Sequence, residues 1–207
     1  NIKFSFLNKI ISLNNLGLYF SIFCFLVFLN AFNMFDGINL QASFYSLFIF
    51  FYISFFLIDS LIIKVLIINL IFFSYLNLKN KTFLGDNGSL LLGYLISFFF
   101  ISLYNLNYIK YADQITLFML IPGLDLLRLF ILRIYKKKNP LTSDRDHLHH
   151  LLLSNYSLKL TLTIIILLIT FPIFLDYLSI NNIYTILLTT IIYFILIVFL
   201  KKKNFTH

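Results

Sequence analysis

Three of the four histidines in this 207-residue chain, His147, His149 and His150, lie within one long polar stretch. Arg145 stands two residues before the first of them. Imidazoles beside a guanidinium offer several hydrogen-bond donors to phosphate oxygens. Zinc is the alternative ligand, but it needs three or four converging side chains, often cysteines, and the tight His-x-His-His spacing suits it poorly. The stretch therefore predicts contacts with a phosphorylated ligand or a nucleotide.

Two shorter polar segments interrupt the apolar sequence earlier in the chain. The first reads NAFNMFDGIN, and its three-residue spacing places Asn30, Asn33 and Asp36 on one helix face. The second contains Asp86 in a Gly-Asp-Asn-Gly turn with an exposed backbone. A carboxylate there suits Mg²⁺, and the amides of a helix start suit a phosphate. Interfacial helix caps and a plain Asp-Gly turn are the alternatives that stay open.

Local signals also predict the helix that carries the histidines. Ser143 and Asp146 resemble a capping box, which indicates a short surface helix from about Asp144 to Leu153. The first and last of the three histidines would then share a face, and His149 would point elsewhere. Such a surface helix should tolerate alanine substitutions.

The composition indicates a membrane protein. Hydrophobic residues make up 60% and charged residues 12% of the chain, and its mean hydropathy is +0.93, whereas soluble domains are about 45–50% apolar and about 25% charged. The net charge of +8 fits basic residues retained at the cytoplasmic side of a bilayer, so we expect no nucleic-acid partner. The single cysteine, Cys24, excludes an intrachain disulfide.

Long apolar runs define the elements that must position these side chains. A bilayer core of roughly 30 Å requires about 20 apolar helical residues. The sequence predicts an all-α polytopic integral membrane protein with about seven membrane-crossing or re-entrant helices, whose cytoplasmic loops form the site. Asp125 and Arg128, in the fifth run, should pair on one helix face. The runs cover roughly residues 16–35, 44–58, 61–78, 88–105, 115–135, 160–178 and 183–200, and 44–58 with 61–78 is either two helices or one re-entrant hairpin.

The basic residues predict the orientation of these runs. Placing the Asp36 end of the first run in the cytoplasm leaves only four of the 16 basic residues at outer joints. That arrangement satisfies the bias of lysine and arginine towards cytoplasmic loops. All three polar segments then face the cytoplasm. The four outer residues are Lys3, Lys9, Lys64 and Lys110.

Taken together, the three polar segments resemble the polyprenyl-phosphate N-acetylhexosamine-1-phosphate transferases. The matching pieces are NAFNMFDGIN, FLGDNGSLLLG, and P-x-x-D-x-x-R followed by NPLTSDRDHLHHLLL, in this order and over nearly the whole chain. The resemblance implies transfer of a sugar-1-phosphate from a UDP-sugar to a polyprenyl phosphate, with release of UMP. It also implies a Mg²⁺ requirement, a bacterial cytoplasmic membrane, and a role in lipopolysaccharide or cell-wall assembly.

The resemblance also implies roles for individual residues. Asp86 and Asp36 are the expected catalytic residues, and Asn33 and Asp86 the expected neighbours of Mg²⁺. The expected substrate-binding residues are Asn30, Asn39, Arg128, Arg145, His147, His149 and His150.

Two departures from the family pattern bear on these expectations. Asn39 stands where the family often has aspartate, and the glycine that follows it there is missing, which bears on nucleotide contact and sugar choice. No paired aspartates occur in the chain, which begins at Asn1. We therefore expect a single transmembrane domain over 1–207 that is the C-terminal part of a longer one, with weak donor binding and no transfer by itself.

Other interpretations stay open at this point. A transporter would use Asp125 and Arg128 as intramembrane charges, and an inactive truncated homologue would need no site. For the assembly state, a homodimer is one alternative.

Overall fold

The structure, a computed structural model, describes residues 1–7, 9–139 and 146–205. For residues 204 and 205 it describes the backbone but not the side chains. The described part is helical, apart from an isolated bridge between Ile2 and Ile11, which confirms the all-α fold class. Its eight helices are α1 (Leu16–Phe35), α2 (Gln41–Ser54), α3 (Leu61–Leu78), α4 (Gly85–Asn105), α5 (Ala112–Tyr135), α6 (Leu148–Leu153), α7 (Leu158–Tyr177) and α8 (Asn182–Phe205).

Six of these helices, all except α2 and α6, are long and apolar enough to cross a membrane. The polytopic membrane fold is thus confirmed. The first and third predicted runs coincide with α1 and α3, whereas α2 begins three residues before the predicted run 44–58 and ends four residues before the end of that run. Residues 55–58 form a turn that is as apolar as the helix, so hydropathy does not mark the end of α2. With 14 residues, α2 is about 21 Å long.

The first compact unit, Asn1–Ile115, contains α1 to α4 and the first turn of α5. In it α1 packs against α4, and α2 packs against α3 and α4. The core is aromatic and aliphatic, with Phe32, Tyr45, Ile49 and Phe100 almost completely buried. The ends of α1 and α3 lie beside the starts of α2 and α4, because residues from all of these ends line one cavity.

The second compact unit, Thr116–His207, contains the rest of α5 and α6 to α8. Here α7 packs against α8, and the short α6 packs against both. Leu148 and Leu152 of α6 are buried, as is Tyr193 of α8. The assignment of 1–207 to a single transmembrane domain stays a prediction.

Candidate functional site

An open cavity of about 250 Å³ in the first unit brings two of the three polar segments together. Asp36 and Asn39 come from the segment after α1, and Asp86 comes from the start of α4. Fifty residues of sequence separate the two carboxylates. The remaining lining residues are Gly37, Ile38, Phe73, Asn77, Phe83, Leu84 and Gly85.

Asn77, in the last turn of α3, determines how the two segments meet. Its buried side chain accepts a hydrogen bond from the Leu40 amide at 2.7 Å through Oδ1. Its Nδ2 donates to the Thr82 carbonyl at 2.8 Å and to Asn39 Oδ1 at 3.4 Å. One amide group therefore connects the α1–α2 segment to the α3–α4 segment. Leu40, whose backbone is held in this way, has the left-handed φ of 71°.

Asn39 itself reaches the second segment, since its Nδ2 donates to Asn80 Oδ1. The sequence identified Asn39 through its motif but missed Asn77. The signal for Asn77 was present: a polar residue at the end of an apolar run, the same pattern that selected Asn30 and Asn33.

The electrostatics of the cavity are dominated by its two carboxylates. The pKa of Asp36 is raised to about 6, mainly by burial and also by the nearby charge of Asp86. Two carboxylates that repel each other in a partly buried cavity form a set of oxygen ligands for which a divalent cation is a suitable counter-ion. Among the described residues, no group of three or more His, Cys, Asp or Glu side chains has the arrangement of a metal site.

The other two asparagines of the first segment lie outside this lining. Asn33 Oδ1 accepts a hydrogen bond from the Ser89 hydroxyl, which connects α1 to α4. Asn30 is exposed, and its Nδ2 donates to the Leu26 carbonyl one turn earlier at 2.8 Å. The Mg²⁺ contact expected of Asn33 and the substrate contact expected of Asn30 stay predictions.

An exposed aromatic ring stands at the edge of the cavity. Phe83 is 83% exposed although it lines the cavity with the carboxylates and amides. A free aromatic face beside hydrogen-bonding groups can stack on a flat heterocycle. Sequence reasoning passed over this residue because 27 phenylalanines make a single one uninformative.

The second unit contains a buried network around Asp125. Arg128 Nη2 donates to Asp125 Oδ1 at 2.7 Å, which confirms the predicted pair on one face of α5. The Tyr193 hydroxyl of α8 donates to the same oxygen at 2.6 Å and accepts from Arg128 Nε at 2.8 Å. His147 Nδ1 lies 2.9 Å from the other oxygen, Oδ2. Tyr193 had no signal in the sequence, because it lies 68 residues from Asp125 in an apolar run.

The helix that follows His147 differs from its prediction. It begins at Leu148, not near Asp144, and His147 is its extended N-cap residue. Asp125 Oδ1 and Oδ2 accept from the Leu148 amide at 3.2 and 3.4 Å, so a residue of α5 satisfies the first amide of α6. The expected capping box pairs Ser143 with Asp146, and this serine lies outside the described residues, as do Asp144 and the substrate-binding candidate Arg145.

The three imidazoles form one cluster. The rings of His147 and His149 are stacked, with centroids 5.4 Å apart, and the His149 and His150 centroids are 4.3 Å apart. The prediction that His149 points away was wrong, because His147 precedes the helix and the i, i+3 face does not extend back to it. The expected surface helix is also contradicted, since His149 is only 2% exposed.

Burial also affects the protonation of His149. The pKa of His149 is lowered to about 3, mainly by burial and also by the positive charges that His150 and His147 would carry. His149 is therefore a neutral imidazole near pH 7. The cluster lies within the second unit, so its expected meeting with the carboxylate cavity stays a prediction.

Comparisons with known proteins identify the family and one relative of this chain. The family described as glycosyl transferase family 4 matches residues 1–104. The undecaprenyl-phosphate alpha-N-acetylglucosaminyl 1-phosphate transferase of Thermotoga maritima is 34% identical over 134 residues. That alignment covers 63% of this chain and 41% of the Thermotoga protein, so the chain spans less than half of that relative's length. No solved structure matches.

Proposed function

We propose that this chain, which belongs to glycosyl transferase family 4, serves the transfer of a sugar-1-phosphate from a UDP-sugar to a membrane polyprenyl phosphate, releasing UMP. One observation carries the proposal: Asp36 and Asp86, fifty residues apart, line one cavity at the ends of apolar helices. Similarity to the Thermotoga relative, an undecaprenyl-phosphate alpha-N-acetylglucosaminyl 1-phosphate transferase, supports an N-acetylhexosamine as the sugar.

The carboxylates of the cavity fit Mg²⁺ as the cofactor. Mg²⁺ takes hard oxygen ligands and is usually held by one or two carboxylates together with substrate phosphates and water. Asp36 and Asp86 would hold the ion, and the raised pKa of Asp36 reflects the burial and repulsion that a cation would offset. When bound, Mg²⁺ supplies positive charge that lets two negatively charged phosphate groups approach each other.

Side chains around the carboxylates suit a nucleotide donor. The exposed Phe83 ring offers a stacking surface for the uracil base. Asn39, beside the carboxylates, offers an amide that can pair with the polar edge of the base. The left-handed turn at Leu40, which Asn77 holds, fixes the backbone on which Asn39 stands.

The lipid acceptor accounts for the position of the cavity. A polyprenyl phosphate keeps its chain in the bilayer and its phosphate at the surface, so its transferase needs a polar site at the ends of membrane helices. The cavity lies where α1 and α3 end. We place this end at the cytoplasmic face of a bacterial inner membrane, where a step of lipopolysaccharide or cell-wall assembly would take place.

The second unit would contribute the remaining groups. The N–H groups of imidazole and guanidinium side chains donate hydrogen bonds to phosphate oxygens. His147, His149 and His150 form a cluster, and Arg128 stands behind it in contact with the Asp146 carbonyl. We assign the histidines to the donor phosphates and Arg128 to the support of that segment.

Donor binding tests the proposal. The 207-residue chain in lipid nanodiscs is titrated with UDP-N-acetylglucosamine, with and without Mg²⁺. We expect Mg²⁺-dependent binding that Asp86→Asn weakens at least tenfold, about 1.4 kcal/mol, because the neutral amide removes charge from the cation site.

Asp59→Asn is the matched control. Asp59 is also exposed, and its variant makes the same replacement of aspartate by asparagine. Asp59 lies in the turn between α2 and α3, outside the cavity lining. It should bind the donor as the unmodified chain does. Binding that is independent of Mg²⁺, or equal losses in the two variants, would contradict the proposal.

A further inference from the structure

We propose that Asp125 is a positioning residue, whose carboxylate holds the His147 imidazole in the tautomer protonated at Nδ1 and leaves Nε2 as the atom presented to substrate. Nothing in the sequence pattern pairs these residues, which lie 22 positions apart. The inference stands on the buried hydrogen bonds that α5 makes to the segment before α6.

Two side chains of α5 hold three consecutive residues around His147. Arg128 Nη2 donates to the Asp146 carbonyl at 2.7 Å. Asp125 accepts from His147 Nδ1 at 2.9 Å and from the Leu148 amide. The backbone on both sides of the imidazole is thus fixed together with the ring, so the direction of the ring is set by α5.

The two carboxylate oxygens of Asp125 share the Leu148 amide but otherwise have different partners. Oδ1 accepts from Arg128 at 2.7 Å and from the Tyr193 hydroxyl at 2.6 Å. Oδ2 lies 2.9 Å from His147 Nδ1. Arg128 is positively charged and bonds directly to this carboxylate, so Asp125 is an ionised group that can only accept hydrogen bonds. The proton of the His147–Asp125 hydrogen bond must therefore reside on Nδ1.

This tautomer determines what the other nitrogen can do. In a neutral imidazole with its proton on Nδ1, Nε2 carries a lone pair and accepts a proton or a hydrogen bond. The described residues provide no hydrogen-bond partner for Nε2 of His147. Once Nε2 gains a proton, the same atom can donate to a phosphate oxygen. This use of Nε2 rests on the proposed function, whereas the tautomer does not.

Nitrogen NMR measures the tautomer directly. The full chain is labelled with ¹⁵N-histidine, kept in detergent micelles at pH 8 without any nucleotide, and His147→Gln identifies the signals of His147. We expect the protonated type of ¹⁵N shift at Nδ1 and the unprotonated type at Nε2. The opposite assignment in the unmodified chain would overturn the proposal, even if the variants below do not fold.

Asp125→Asn gives the sharper test. Arg128 and Tyr193 donate to Oδ1, so the asparagine carbonyl should take that position and its amide nitrogen should face His147. Nδ1 would then have to accept, and the two ¹⁵N shift types should exchange between the ring nitrogens. A folded Asp125→Asn chain that keeps the proton on Nδ1 would show that Asp125 is not the cause.

Tyr193→Phe is the control for general disturbance of the network. It removes one donor to Oδ1 but leaves the contact between Oδ2 and His147. The His147 tautomer should therefore stay as in the unmodified chain, and an exchange of shift types here would equally overturn the assignment to Asp125. Because the NMR samples contain no UDP-sugar, failure of nucleotide binding in the separate titration would leave this result unaffected.

Discussion

At the scale of residues, the polar side chains of this protein act mainly by fixing backbone. Asn77 bonds to two connecting segments, and Asp125 with Arg128 bonds to the segment before α6. A buried donor or acceptor that loses its partner costs about 1–3 kcal/mol, so such residues have a larger effect than exposed polar groups. Two predictions follow from individual side chains.

Replacing Asn77 with alanine should disturb the cavity by removing hydrogen bonds that hold its two segments. The Leu40 amide and the Thr82 carbonyl would lose their partner, and the Asn39–Asn80 hydrogen bond would remain between the segments that carry Asp36 and Asp86. We expect at least a tenfold loss of UDP-N-acetylglucosamine affinity, about 1.4 kcal/mol, measured by titration in nanodiscs.

Asn69→Ala is the control on the same helix. Asn69 is exposed, and its amide donates only to the Val65 carbonyl of its own helix at 3.0 Å. This variant should keep the affinity of the unmodified chain. If Asn77→Ala binds the donor equally well, the contacts of Asn77 do not shape the cavity.

His149 should make stability depend on pH. Its pKa falls from about 6.5 in the unfolded chain to about 3 in the folded one, so below pH 6.5 the unfolded state binds more protons. Stability is then full above pH 6.5 and decreases as pH falls towards 3. At pH 5 the loss should be about 2 kcal/mol.

The measurement is the thermal unfolding midpoint in detergent between pH 7.5 and 4.5. The ionisable groups of His147, His150 and Asp125 act on His149, so the comparison is with His149→Gln, which keeps them. The glutamine variant should show a flatter pH profile. Parallel profiles would mean that His149 does not titrate as a buried group.

At the scale of elements, the first unit depends on the close contact of α1 with α4. Gly93 of α4 faces Leu29 and Phe32 of α1, and a Cβ atom added there would stand 3.2 Å from Leu29 Cδ2 and 3.4 Å from the Phe32 ring. Small residues let membrane helices approach in this way. The same contact places the end of α1 beside the start of α4, where the two carboxylates lie.

Gly93→Leu should therefore separate α1 from α4. The extra side chain has no room, and overpacking of this kind costs typically about 1–3 kcal/mol. We expect a lower thermal midpoint by heating followed by size-exclusion chromatography in detergent.

Gly123→Ala in α5 is the control, because this glycine has room for a larger side chain. Apart from its chain neighbours and the backbone of its own helix, no atom of the described residues lies within 4 Å of an added Cβ atom, and alanine favours helix over glycine by about 0.5–1 kcal/mol. Its midpoint should be equal or higher. Similar midpoints for Gly93→Leu and the unmodified chain would show that the α1–α4 contact is loose.

At the scale of the whole molecule, the basic residues define an orientation in the bilayer. Lys137 follows the end of α5, Lys110 precedes its start, and both are exposed. A helix that crosses the membrane separates its two ends, so these lysines should lie on opposite sides. The charge bias predicts that Lys137 lies in the cytoplasm.

Cysteine labelling tests this orientation. In a Cys24→Ser background, Lys110→Cys and Lys137→Cys are expressed separately, and intact cells are treated with an impermeant maleimide. Position 110 should react in intact cells and position 137 only after permeabilisation. The reverse pattern would place the carboxylate cavity outside the cell and conflict with a cytoplasmic nucleotide donor.

What could be predicted from the sequence was local or compositional. Apolar runs of about 20 residues gave α1 and α3 with their observed bounds, because burial in a bilayer is a property of each segment by itself. The Asp125–Arg128 pair followed from a three-residue spacing on one helix. The motif positions of Asp36 and Asp86 identified two carboxylates that the structure places in one cavity.

What only the tertiary structure decided depends on partners far apart in the chain. Asn77 bonds Leu40 across 37 residues, Tyr193 bonds Asp125 across 68, and Asp125 sets the start of α6 across 23. Local capping rules placed that start too early because the first amide of α6 is satisfied by another helix. A buried hydrogen bond requires its partner in space, and packing alone determines which distant residue occupies that place.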